Sequence, residues 1–306
     1  MTLYTHQREN ITKTWVLMLV FFAFITFLGY FASYYYNNPG IFIFAVILSV
    51  VMNIGSYWFS DKIALSVSGA HQIEMKDNPE LWRIAENISI TAGLPMPKLY
   101  IINDASPNAF ATGRNKNHSA IAVTTGLLER LDKSELEGVI AHEFAHIGNR
   151  DILLQSVIVV LVGLIQIFAD WMIRISFYGG GSRDRENNNP VMAIAGFVLL
   201  ILSPIIAIII QLAISRRREF LADTTGALIT RYPEGLASAL RKISDYNHPM
   251  VRANKATAHM FISTPLGGDA DGDGIPDKEQ KVSWVSKLFN THPPIQERID
   301  ALLGKK

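Results

Sequence analysis

The stretch Gly138–Phe168, "GVIAHEFAHIGNRDILLQSVIVVLVGLIQIF", joins two kinds of sequence that seldom meet. Its first part is a metal-binding pattern. "AHEFAH" puts His142 and His146 four residues apart, so on a helix both imidazoles lie on one face and reach one ion. Glu143 follows the first histidine, where a general base for a water activated by zinc belongs. Ser134 and Glu137 have capping-box spacing, and Leu136, Val139 and Ile140 supply an apolar face. Two residues after Gly148, the charged step Arg150-Asp151 opens an apolar run. Water chemistry is thus predicted at the edge of something that avoids water.

Composition points the same way. Of 306 residues, 49% are hydrophobic and only 18% charged, against about a quarter charged in ordinary soluble domains. The net charge of +1 gives no reason to expect a nucleic-acid partner. The chain has no cysteine, which excludes disulfides, thiolate ligands and a cysteine nucleophile. Any transition-metal site must use His, Asp or Glu.

The apolar excess is concentrated in four runs. Thr14–Tyr36 carries no charge over a length that crosses a hydrocarbon core. Ile41–Phe59 is a second uncharged run, and "NNPG" between them reads as a tight turn. A cleaved signal peptide fits less well, because a second span follows at once. Ile152–Ile175 and Val191–Ile214 are less pure, containing Gln155, Gln166, Asp170, Pro204 and Gln211. Buried core helices are their alternative reading. Arg8 and Lys13 before the first run, and Arg216–Arg218 after the fourth, place the polar blocks on the cytoplasmic side. Arg183 and Arg185 in the intervening loop oppose that orientation, softened by Asp184 and Glu186.

The expected organisation is an N-terminal transmembrane hairpin at 1–60, a first half of a zinc protease domain at 61–151, a second membrane hairpin at 152–215, and a second half at 216–306. The expected fold is mainly α with a small β-sheet, an α+β zincin-like catalytic domain, plus about four transmembrane helices. A third zinc ligand is needed, and "SRRREFLADTTGALI" offers Glu219 and Asp223, again four residues apart. A hairpin at 152–215 would leave the surface beside the histidines and return beside Glu219. Asp223, one turn on, suits a carboxylate that orients a ligand imidazole.

"AHEFAH", the hydrophobic hairpin, "RRREFLADTTGALI" and "NTHPPIQERI" together resemble the membrane zinc metalloproteases of the HtpX type, in the M48 gluzincin group. The resemblance covers nearly the whole chain. It implies one catalytic zinc held by His142, His146 and Glu219, with Glu143 as base and Asp223 as supporting acid. It places His292 and Arg298 close to the active site, where an oxyanion donor is required. It also implies a bacterial inner-membrane, multi-pass protein with its site facing the cytoplasm, acting on membrane-protein polypeptides in quality control. "SPNAFATGRNKNHSAIAVTTGLL" resembles the segment beside the cleft; it reads as strand, turn and strand, and Asn108, Ala109, Phe110 and Ala111 would pair with an extended substrate.

Two alternatives stay open. A plain β-hairpin is the other reading of that segment. A membrane scaffold with structural zinc is the other reading of the site, although such sites usually fill all four positions with protein. An intramembrane site is disfavoured, since the ligands lie outside the apolar runs. In "GGDADGDGIPDKEQ", Asp269, Asp271, Asp273 and Asp277 follow calcium-loop spacing, but Gln280 stands where a calcium loop has Glu. A solvated acidic loop is at least as good a reading as a bound Ca2+.

Overall fold

The computed structural model describes residues 3–178, 216–246, 248–253, 256–265 and 293–305. Two long helices come first, α1 (Leu3–Tyr35) and α2 (Pro39–Val67). They turn on Asn38, whose side chain caps Gly40 N–H, with Pro39 opening α2. This matches the predicted hairpin, although α1 starts well before the apolar run and α2 outlasts it. Both are long and apolar enough to cross a membrane. Their outer faces present Leu19, Phe27, Phe44, Ile47 and Val51, all more than half exposed, a belt suited to lipid.

A four-stranded sheet follows, built from β1 (Ala70–Gln72), β2 (Lys98–Ile102), β3 (Ala109–Asn115) and β4 (His118–Thr124). The order is β1-β2-β4-β3, with β2 and β4 parallel and the other pairs antiparallel. The expected strand–turn–strand is β3–β4, turning at Lys116-Asn117. Helix α3 (Pro79–Ala92), capped by Asn78, and the short α4 (Thr125–Arg130) flank the sheet.

Helix α5 (Lys133–Gly148) carries the "AHEFAH" pattern through the centre. Its N-cap is Asp132, and the capping box is Asp132 with Glu135, not Ser134 with Glu137. The reason is reach: Glu135 Oε2 accepts the Asp132 N–H while its Oε1 and Oε2 also take Ser238 and Lys242. Helices α7 (Arg216–Thr230), α8 (Pro233–Ser244) and α9 (Ile295–Leu302) close around it. Val139, Ile140 and Phe144 are wholly buried with Ile84, Ile121 and Leu236. From 138 to 147 the helix is buried all round, so its polar residues there have no solvent face.

At Asn149 the metal helix ends. Arg150 takes a left-handed φ of 60°, and α6 (Asp151–Tyr178) leaves at 84° to α5. Along α6, Leu154, Val157, Ile158 and Leu161 pack on Leu17, Met18 and Phe21 of α1. The third apolar run is therefore a helix against the first span. The fourth run, 191–214, lies outside the described residues.

Close approach of α8 to α5 depends on Gly138, since a Cβ there would stand 2.7 Å from the Leu236 amide nitrogen. Gly138→Ala must push two backbones apart and is expected to cost about 1–3 kcal/mol. Gly55→Ala, whose Cβ meets nothing within 4 Å, should melt at or above the parent temperature. Equal melting of Gly138→Ala and the parent would contradict this packing.

Candidate metal centre

The helical spacing does what it promises. His142 Nε2 and His146 Nε2 stand 3.1 Å apart. Glu219, from α7, brings Oε2 to 3.7 Å from His142 Nε2 and Oε1 to 3.8 Å from His146 Nε2. Tetrahedral ligands about 2 Å from one ion are roughly 3.3 Å from each other, so these three fit a single ion. They form a group capable of holding a metal, with ligand atoms within 4.8 Å of one another. Helix α7 comes this near because residue 226 is glycine: a Cβ would stand 3.0 Å from the His142 amide nitrogen.

Each imidazole has its second nitrogen within 2.9 Å of a carboxylate oxygen. His142 Nδ1 is 2.9 Å from Asp223 Oδ1, and His146 Nδ1 is 2.9 Å from Asp151 Oδ2. A proton held at Nδ1 leaves the Nε2 lone pair for a cation and fixes the ring. Arg298 grips Asp223 with a two-pronged bond, Nε to Oδ2 at 2.8 Å and Nη2 to Oδ1 at 2.7 Å. Burial pushes Asp223 upward, but the Arg298 charge and the bonds from Arg298 and His142 outweigh it and hold the carboxyl well below its usual range. Burial lowers His146, yet the Asp151 bond and the Glu219, Asp151 and Glu143 charges raise it to about 9.

The Asp151 side is tied to the first span. Asn10 of α1 donates through Nδ2 to Asp151 Oδ1 and to the Asn149 carbonyl, and accepts from Arg218 Nη1 at 3.4 Å. Gln7 donates to the Gly148 carbonyl at 2.7 Å. So α1 supplies side-chain donors for the free carbonyls at the end of the metal helix.

Glu143 is 1% exposed. Neither carboxylate oxygen has a hydrogen-bond partner among the described residues, and burial pushes the carboxyl upward. An unsatisfied buried carboxylate costs several kcal/mol in an ordinary core. Its place beside two histidines and a third acid suits a base that works on a water next to a metal ion. With nitrogen and oxygen donors only, the set fits a divalent ion such as zinc.

Other expectations fare differently. Arg298 is fully buried, with Nη1 on the Ile262 carbonyl at 3.1 Å and its fork on Asp223. Its Nη1 is also 3.7 Å from Glu219 Oε2, so its charge lies against both acids of α7. Asn108, Ala109, Phe110 and Ala111 form the buried start of the β3 edge. There the Ala109 carbonyl accepts Ile262 N–H at 2.9 Å, and Asn108 Nδ2 donates to the Ser263 carbonyl at 2.9 Å. His292 and the acidic residues Asp269, Asp271, Asp273 and Asp277 lie outside the described residues. Asp151, Asn10, Arg218 and Gly226 escaped the sequence reading. Asp151 had a signal, as a lone acid heading an apolar run; Asn10, 141 positions away, had none.

Known proteins are similar to this chain over most of its length. Residues 75–306 match peptidase family M48. A protein called Protease HtpX homolog from Caldanaerobacter subterraneus subsp. tengcongensis is 46% identical over 307 residues, covering 98% of this chain and 97% of that one. A protein of the same name from Dictyoglomus turgidum is 41% identical over 302 residues, covering 98% and 94%. The crystal structure of S. mikatae Ste24p shares the fold, with a TM-score of 0.51 at 19% identity, covering 98% of this chain and 67% of that one. Sequence, fold and the two long apolar helices agree: the chain belongs to peptidase family M48, as a membrane metalloprotease.

Proposed function

We propose that the chain is a zinc-dependent endopeptidase that cleaves misfolded or damaged membrane proteins at the cytoplasmic face of a bacterial inner membrane. The observation that carries the reading is Glu143, a buried carboxylate with no hydrogen-bond partner among the described residues, beside His142, His146 and Glu219. Arg8 and Lys13 ahead of the first span and Arg216–Arg218 at the start of α7 support the orientation. The blocks 61–151 and 216–306 would then form one protease domain, interrupted by a membrane hairpin at 152–215.

In this proposal His142, His146 and Glu219 hold the ion. Bound there, zinc would supply a Lewis acid that polarises the scissile carbonyl and acidifies water. Glu143 takes a proton from the attacking water and returns it to the leaving amine, a task its raised affinity for protons suits. Asp223 and Asp151 hold the two imidazoles, and Arg298 holds Asp223. His292 is assigned to the oxyanion. An extended substrate pairs along Asn108–Ala111, taking over the bond that Ile262 N–H now makes to Ala109. Three protein ligands among the described residues, rather than four, favour catalysis over a structural zinc.

Glu143→Gln should lower cleavage of a membrane substrate by about 10²–10⁴-fold while stoichiometric zinc remains in the detergent-purified protein. Undiminished cleavage would remove Glu143 from its role. Asn10→Leu removes the donor to Asp151 Oδ1 and leaves His146 on Oδ2. We expect about tenfold weaker zinc retention against a competing chelator, with Lys13→Ala, an exposed partner of Glu9, unchanged. Zinc retention equal to the parent in Asn10→Leu would show that the first span does not support the centre.

A further inference from the structure

Where the α1–α2 hairpin meets the β3–β4 turn, a cavity of about 290 Å³ opens to solvent. Trp15 and Tyr57 make one wall, stacked with centroids 5.9 Å apart. Arg114, Lys116 and Arg150 line it together with Ile11, Asn115, Asn117 and Leu153, and no carboxylate is among its lining residues. None of the three cations has an ion-pair partner among the described residues, although acids pair with Lys13, Lys76 and Lys242 elsewhere.

The cations are held rather than loose. Arg114 lies over the Trp58 ring, its Cζ 4.4 Å from the centroid. The turn carrying Lys116 is fixed by Asn115 Oδ1, which accepts the backbone N–H groups of Asn117 and His118. Arg150 sits at the corner between α5 and α6, with its φ of 60°. These come from three separated parts of the chain and converge on one space. Like charges brought together without acids repel, so the arrangement is best satisfied by an anion.

The height of the cavity says which anion. Trp15 and Tyr57 lie near the ends of the two uncharged runs, Thr14–Tyr36 and Ile41–Phe59, on the side that meets the sheet. Aromatic residues at span ends mark the level of lipid headgroups, and basic clusters just beyond them attract anionic lipid. Guanidinium groups take phosphate oxygens in pairs, while the stacked rings offer an apolar wall for the glycerol and the first acyl carbons. We propose that this cavity binds the phosphodiester headgroup of an anionic phospholipid in the leaflet facing the sheet. The headgroup would touch Arg150, the residue before Asp151, and so would lie against the corner that supports His146.

The test uses the full chain in detergent. Short-chain phosphatidylglycerol, phosphatidylcholine and inorganic phosphate are titrated separately, with bound ligand read by native mass spectrometry and by the melting temperature. Phosphatidylglycerol should bind saturably and raise the melting temperature, and phosphatidylcholine should not. Arg114→Gln with Lys116→Gln should weaken phosphatidylglycerol at least fivefold. Arg150→Asn, whose new side chain tolerates the left-handed φ, should do the same. Lys116→Gln alone, on the exposed turn, should still lower affinity if loss of Arg114 harms folding. Lys76→Gln, an exposed lysine paired with Glu74, should bind as the parent does. Parent-like binding by all the cavity variants would overturn the proposal. So would equal binding of phosphatidylcholine, full competition by inorganic phosphate at equal concentration, or displacement of the lipid by an acidic peptide.

Discussion

Everything at the centre depends on holding two imidazoles rigidly in a stretch of helix, 138–147, that is buried throughout. Ile140 and Phe144 bury α5 on a side that does not carry His142, Glu143 and His146, and Val139, one turn earlier on their own face, is buried too. A histidine in such a place is tolerable only if both ring nitrogens have partners. Asp223 and Asp151 supply one partner each at Nδ1, and the Nε2 atoms are left facing each other and Glu219. The neighbouring elements follow from that need. Helix α7 must come close enough to deliver Glu219 and Asp223 from successive turns, and Gly226 permits it. Asp223 in turn requires a buried cation, which α9 supplies as Arg298.

The same need accounts for the abrupt passage from metal helix to apolar run. The chain must place Asp151 beside His146 and still leave for the first span. It does so in a left-handed residue, Arg150, and an 84° change of direction. The carbonyls exposed at that corner are taken by Gln7 and Asn10 of α1. The first span is thus more than an anchor. It satisfies the end of α5, holds Asp151, and packs its lower turns on α6. Water chemistry and membrane-seeking sequence adjoin because one helix serves both.

Much of this was legible in the sequence, for identifiable physical reasons. His142 and His146 are local neighbours, and helical periodicity puts them on one face without tertiary knowledge. Glu219 and Asp223 were legible through the same spacing, once a metal needed a third ligand. The hairpin of α1 and α2 followed from length and absence of charge. What failed depended on contacts between distant segments. Glu135 is drawn away from an ordinary surface role by Ser238 and Lys242, so the helix begins one residue after Asp132 rather than at Ser134. Arg298 looked like a free cation near a cleft; only the fold reveals that Asp223 occupies it. Asn10 carries no local sign at all, because its partners lie 139 and 141 positions away. The edge strand was found, but the covering segment Phe261–Ser263 was not, since nothing in its composition marks it as a neighbour of Ala109.

The central claim is that α5 and α7 hold one zinc through His142, His146 and Glu219. Zinc-edge X-ray absorption on the detergent-purified full chain tests it most directly. The account predicts one zinc per chain with two imidazole nitrogens and oxygen ligands at about 2.0–2.2 Å, and loss of the ordered shell in Glu219→Ala. A spectrum with fewer than two imidazoles, or one unchanged in Glu219→Ala, would contradict it.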